Sequence, residues 1–151
     1  MEIVQEEARQ YCGFRVAGEE YAIPVMEVQE VIKPQMVTPI PLAQEEIRGL
    51  INLRGQIVTC LSLRKLFNQD DNLDRPYMNI IVKGQDGLFS LVVDEVTDII
   101  DIDKQSIENA PDTINPGLRK YVDSIYKRDQ GVVILLNPKK LMELDDIEEV
   151  K

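Results

Sequence analysis

Apolar residues along this chain gather in short aliphatic runs, separated by polar stretches that contain glycine or proline. That spacing predicts many short strands and little helix. The plainest case is Gly49 to Phe67, GLINLRGQIVTCLSLRKLF. Leu50, Ile51 and Leu53 form one run and Ile57 to Leu63 a second, with Arg54-Gly55-Gln56 between them. Glycine enters the backbone angles of a tight turn without steric cost, so the segment reads as a hairpin with Arg54 near its exposed tip. Arg64 to Phe67 reads as a short helical turn that closes the unit.

The pattern occurs twice. YAIPVMEVQEVI (Tyr21 to Ile32) aligns with FSLVVDEVTDII (Phe89 to Ile100) in its aromatic, aliphatic and acidic positions. Upstream, QYCGFRV before Ala17-Gly18-Glu19 corresponds to MNIIVKG before Gln85-Asp86-Gly87. Downstream, IVTCLSLRKLF (Ile57 to Phe67) corresponds to VVILLNPKKLM (Val132 to Met142). Self-similarity of this length signals two copies of one structural unit. The expected fold is therefore mainly all-β, two pseudo-repeated units built as small barrels or sandwiches with short helices. A single domain over 9–142 would hold approximate lobes at 9–67 and 77–142, with 68–76 as connector and 143–151 as a fraying acidic tail. Units near 60 residues bury proportionately little surface, so the lobes should share an apolar core or even exchange a strand.

The loops are punctuated by proline. Pro34, Pro39 and Pro41 deny donors to a sheet, which makes Lys33 to Leu42 an extended connector. Gln44 to Arg48 can form one helical turn, with Gly49 as its stop. Asp103 to Pro116 occupies the matching place in the second copy.

Composition narrows the function. The net charge of -10 opposes nucleic acid, which needs a basic face to displace counterions, and opposes anionic lipid equally. No apolar run approaches the roughly 20 residues of a membrane-spanning helix, and MEIVQEEARQ at the start is unlike a signal peptide. A soluble, cytoplasmic protein is expected. Aromatics make up only 5% and Trp is absent, so aliphatic residues must carry the core. Cys12 and Cys60 match no redox or zinc spacing and read as buried free thiols. The chain has no His, the commonest general base and metal ligand, and no glycine-rich phosphate loop. Its carboxylates are scattered through turns and along strands without a calcium-loop spacing. Asp94-Glu95 could act as an acid–base pair, but its repeat partner is Met26-Glu27, which argues for a structural role. Catalysis, metal and cofactor are not expected.

What remains is apolar. Val25, Val28 and Val31 recur three apart, and Val93, Val96 and Ile99 repeat them. These stripes either fill their own barrels or line a groove at the junction between lobes, where an amphipathic helix could dock. The pattern leaves both readings open. Glu30 reads as a solvent-facing acid, and Arg54 either holds nearby backbone carbonyls or faces a partner.

The INLRG hairpin resembles the signature of the CheW family, the coupling proteins of bacterial chemotaxis. The resemblance extends in order through EYAIPVMEVQEVI (Glu20 to Ile32), VTPIP (Val37 to Pro41), LVVDEVTDII (Leu91 to Ile100) and GVVILLNPKKLM (Gly131 to Met142). Thr59, Ser62 and Ser124 depart from it, where family members often have Pro, Asp and Gly. The resemblance implies two pseudo-repeated SH3-like five-stranded β-barrels sharing a hydrophobic core, and a non-enzymatic adaptor. Such an adaptor links the helical cytoplasmic tips of chemoreceptors to the regulatory domain of a CheA-type histidine kinase, as a monomer that joins receptor–kinase arrays or rings. It implies receptor contact at Val25, Val28, Val31, Val96 and Thr97, and partner-surface or signalling roles for Glu30, Gly49 and Arg54. Two alternatives stay open: a coupling protein of a pilus or other chemosensory pathway, and, more distantly, a small-ligand-binding β-barrel.

Overall fold

The computed structural model describes residues 8–71, 74–85 and 87–143. The first copy of the repeat contains β1 (Ala8–Val16), β2 (Glu19–Pro24), a 3-10 turn (Val25–Glu27), β3 (Val28–Ile32), β4 (Ile47–Leu53), β5 (Gln56–Ser62) and α1 (Leu63–Leu66). The second contains β6 (Met78–Lys83), β7 (Leu88–Val93), β8 (Glu95–Asp103), a 3-10 turn (Lys104–Ser106), β9 (Ile107–Glu108), α2 (Pro116–Arg119), β10 (Val122–Arg128), β11 (Gly131–Leu136) and α3 (Pro138–Leu141). The acidic tail over 143–151 falls outside the described residues from 144 onward, as does the start of the chain through residue 7.

The expected hairpins form. Leu53 pairs with Gln56 across a two-residue loop in which Arg54 and Gly55 both have positive φ, 51° and 90°. Ala17 and Gly18 do the same between β1 and β2, at 51° and 85°. Such loops match the right-handed twist of the strands they join. Each copy then ends in a capped turn of helix. The Ser62 hydroxyl accepts the Lys65 N–H, and Asn137 Oδ1 accepts the Lys139 N–H at the equivalent place.

The sheets divide the chain differently from the sequential lobes at 9–67 and 77–142. A six-stranded sheet has the order β8-β1-β2-β11-β10-β9, and a five-stranded sheet has the order β3-β6-β7-β5-β4. Each barrel-like unit therefore takes one hairpin from one copy and its remaining strands from the other. β1–β2 joins β8 to β11, while β6–β7 joins β3 to β5. The exchange is reciprocal and is sealed by two equivalent parallel pairings, β2 with β11 and β5 with β7. Both units are SH3-like, and the first has six strands in place of five because the two-residue β9 adds to β10.

Three cores follow from this arrangement. Tyr11, Ala22, Ile100, Ile102, Val133 and Leu135 fill the six-stranded unit. Ile51, Leu53, Val58, Cys60, Ile81 and Val92 fill the five-stranded unit. The largest core lies between them, drawing Phe14, Tyr21 and Ile23 from one sheet, Leu61, Ile80 and Leu91 from the other, and Leu63, Phe67 and Leu141 from the chain that closes each copy. Phe14 stacks on Tyr21 there at 5.9 Å between centroids, and Phe67 lies tilted against Tyr21 at 5.1 Å. This is the shared apolar seam expected from the size of the halves. Cys12 and Cys60 are buried free thiols, and burial raises Cys60 to about 11, which keeps it protonated and inert.

Candidate functional site

The valine stripes sit where the two units meet. Val25 lies in the 3-10 turn after β2, Val28 opens β3, and Val96 lies near the start of β8. All three are half-buried and pack against the shared core, outside the two barrel interiors. β3 and β8 are pseudo-equivalent edge strands of different sheets, each paired on one side only. Strand alternation sends Ile32 and Ile100 inward and leaves Val31 and Ile99 exposed beside them. Met26, between Val25 and Glu27, is 86% exposed. The junction thus carries an apolar strip with a half-buried floor and exposed flanks. Val93 differs from its repeat mate Val25 by being wholly buried in the shared core. The Thr97 hydroxyl is turned away from solvent: it is buried against Gly13, where β1 bulges past β8.

The second cluster is the β4–β5 hairpin tip. Glu30 does not stand in solvent as an isolated acid. Its half-buried carboxylate accepts a hydrogen bond from Arg54 and forms an ion pair with it. Arg54 accordingly reaches a carboxylate and not the backbone carbonyls considered for it. β3 and β4 are the two edges of the five-stranded sheet, so the pair spans the seam where that barrel closes. The Lys33 to Leu42 connector completes the closure, because Thr38 and Leu50 exchange N–H···O bonds of 2.8 Å in both directions. Gly49 is no helix stop. The chain turns at 45–46, closed by the Ile47 N–H on the Gln44 carbonyl, and passes directly into β4; Gly49 lies inside that strand, buried beneath residues 37 and 38.

The Arg54–Glu30 pair is largely exposed on the arginine side, at 66%. Solvent screening and side-chain entropy leave such pairs worth less than about 1 kcal/mol. Arg54→Ala should therefore shift the thermal midpoint by only about 2–3 °C. A much larger loss in a melting experiment would show that the arginine is chiefly a barrel clamp.

A sturdier polar link ties the two units. Arg64, in α1, donates from Nε and Nη2 to the two oxygens of Asp94 at 2.8 and 2.7 Å, and from Nη1 to the Asp70 carbonyl. Asp94, between β7 and β8, also accepts the Ala17 N–H at 2.8 Å, and its own N–H reaches the Arg15 carbonyl. Burial pushes the Asp94 carboxyl up, but the hydrogen bonds from Arg64 and Ala17 and the charges of Arg64 and Arg75 outweigh it. The net result lies below the ordinary carboxylate value. Asp94 is thus a structural anchor, as its place in the repeat suggested.

The CheW-like domain model matches residues 10–146. The chain belongs to that family. Its six- and five-stranded units superimpose on the crystal structure of the scaffolding protein TtCheW from Thermoanaerobacter tengcongensis with a TM-score of 0.79, 33% identity, and coverage of 91% of this chain and 94% of that one. The chemotaxis protein CheW of Helicobacter pylori is 29% identical over 143 residues, covering 93% of this chain and 85% of that protein. Protein PilI of Pseudomonas aeruginosa is 24% identical over 119 residues, covering 78% and 67%. As a CheW-like protein the chain is a chemotaxis scaffold of the coupling type, an adaptor and not an enzyme. No helix among the described residues is long and apolar enough to cross a membrane.

Sequence reasoning missed three exposed apolar residues. Met26 extends the apolar strip beside Ile99, which the predicted stripe already held. Ile57 and Val132, the first apolar residues after the tips of the two equivalent hairpins, are exposed by 62% and 46%. The signal for the last pair was present, since both stand at the outward position of alternations whose inward members are Val58, Cys60, Val133 and Leu135.

Proposed function

We propose that this chain couples the cytoplasmic helical tips of chemoreceptors to a CheA-type histidine kinase, as a cytoplasmic monomer that joins receptor–kinase arrays or rings. The observation that carries the reading is the half-buried trio Val25, Val28 and Val96 on the core common to both units. Val31 extends this surface along β3, and Thr97 stands beside Val96 as a further candidate receptor contact, its hydroxyl turned inward toward Gly13. A helix laid along such a strip would bury residues at i, i+3, i+4 and i+7 against it. The kinase's regulatory domain is assigned to the hairpin ends, where Arg54 and Glu30 supply charge and Ile57 and Val132 supply apolar contact. Gly49 contributes by seating residues 37 and 38. Two separate ends on one molecule suit heterologous contacts that close into rings or extend into arrays.

Val28→Asp should abolish binding of a receptor-tip fragment in calorimetry, a loss of at least about tenfold, while kinase-domain binding persists. Val28 is only half-buried, so the variant should keep its thermal transition. A folded Val28→Asp protein that still binds the receptor tip at native affinity would remove the groove assignment. Binding of neither partner by the unsubstituted protein would remove the coupling assignment itself. The similarity to PilI favours a second reading, the same coupling role in a pilus or other non-flagellar pathway. Binding a kinase and receptor of that pathway in preference to flagellar ones would select it.

A further inference from the structure

One end of the six-stranded unit is open where the matching end of the five-stranded unit is plugged. The pairings Tyr11 with Ile100 and Asn79 with Ile32 make Tyr11 and Asn79 equivalent, and likewise Arg9 and Tyr77 two residues earlier. In the five-stranded unit, Asn79 is buried and held by Ser90 and the Lys33 carbonyl. Val37 and Tyr77 pack over that core, and Arg48 lies 4.1 Å above the Tyr77 ring. The six-stranded unit has an exposed arginine at the Tyr77 position. What remains is a cleft of about 370 Å³, lined by Arg9, Tyr11, Ile102, Lys104, Ile107, Asp123 and Ser124. That volume lies in the range of small-molecule sites.

The lining is sorted by chemistry. Tyr11, Ile102 and Ile107 belong to the barrel core and form an apolar floor. Arg9, Lys104 and Asp123 stand exposed around it, and among the described residues none of the three forms an ion pair. Arg9 and Asp123 both lie close enough to the Tyr11 hydroxyl to act on it electrostatically. Burial, its largest influence, raises it and leaves a neutral donor. Ser124 adds a hydroxyl at the bulge in β10.

We propose that this cleft binds a free apolar α-amino acid in its zwitterionic form. The carboxylate faces Arg9 and Lys104, the ammonium faces Asp123, and a side chain of leucine size covers Tyr11, Ile102 and Ile107. Tyr11 and Ser124 supply hydroxyls for the remaining polar atoms. A ligand of about nine heavy atoms in an open cleft should bind with a Kd on the order of 1 mM.

The test is a nuclear magnetic resonance titration of the full isotope-labelled chain with L-leucine, 4-methylpentanoate (no ammonium) and 3-methylbutylamine (no carboxylate). Leucine should give saturable shifts centred on Ile102, Ile107 and Ser124. Each analogue should bind at least about tenfold more weakly, as should leucine to Asp123→Asn and Lys104→Met. These side chains are exposed, and unchanged signals elsewhere would confirm that both variants remain folded. No saturable shift at tens of millimolar leucine overturns the proposal. Equal affinity for 4-methylpentanoate overturns it too, and so do leucine shifts that survive both substitutions.

Discussion

Gly49→Ala should cost the fold about 3–5 kcal/mol, the sum of a strained backbone and a broken pairing. Gly49 has a φ of +146°, a conformation that an L side chain adopts only under strain, and it lies at the bulge where β4 slips against β5. A Cβ at this position would come within 2.5 Å of the Thr38 carbonyl oxygen and 2.6 Å of Val37 Cγ1. Neither neighbour can give way freely. The Thr38 carbonyl is fixed by its bond from Leu50, and Val37 packs on the five-stranded core. The added methyl must therefore lift the connector from β4 and open the end of that barrel. Gly55→Ala is the control. Its φ is +90°, but nothing lies within 4 Å of the would-be Cβ, so only a backbone cost of about 1–2 kcal/mol applies. Urea unfolding of the two variants side by side measures the difference. Equal destabilisation, or a Gly49→Ala loss below about 1 kcal/mol, would show that the connector is not held as described.

Gly49 is buried, so the partner-surface role proposed for it can act only through the placement of residues 37 and 38. Substitution there is expected to weaken partner binding and stability together, whereas Arg54→Ala should separate them.

The legible part of the fold was the local part. Alternation and turn glycines located both copies of the hairpins, because side-chain period and turn geometry are set within a few residues. The repeat exposed the equivalence of β3 and β8 and aligned Ser62 with Asn137, which the structure shows to be matching helix caps. The pairing of β2 with β11 and of β5 with β7 was not legible, since a parallel neighbour leaves no signal between strands so distant in sequence. The sequential lobes therefore do not coincide with the two sheets. The halves were expected to share a core or exchange a strand, and they exchange a whole hairpin each. At the candidate site the apolar stripes were visible as a period, but only packing separates Val96, on the shared core's margin, from Val93, wholly buried within it. Glu30 and Arg54 are 24 residues apart and met only when the barrel closed. No pattern in either segment announces that contact.

Removing Arg64 tests whether the two units are coupled as one. Arg64 is 12% exposed and Asp94 22%, so the pair is shielded enough for its charged hydrogen bonds to matter. Arg64→Ala should destabilise by about 2–3 kcal/mol, part of it the cost of leaving Asp94 without its principal partner. A double-mutant cycle with Asp94→Asn should return a coupling of about 1–3 kcal/mol. The pH dependence supplies an independent check with a definite sign. Asp94 is held below the ordinary carboxylate value in the folded state. Its contribution is therefore complete above its unfolded value of about 3.9 and is lost as the pH falls through the folded value. The stability gap between the native protein and Asp94→Asn should be constant from about pH 6 to 8 and shrink below about pH 4. Denaturant titrations at several pH values read this directly. A gap that widened in acid, or that stayed level to pH 2, would mean that Asp94 is not the charged anchor between the units. The location of the pair gives the result its meaning. Arg64 follows β5 of one sheet, Ala17 turns the first hairpin of the other, and Asp94 sits where the chain passes from β7 in the first to β8 in the second. Loosening it should loosen the junction on which Val28 and Val96 lie, so Arg64→Ala is expected to weaken receptor-tip binding without touching the groove.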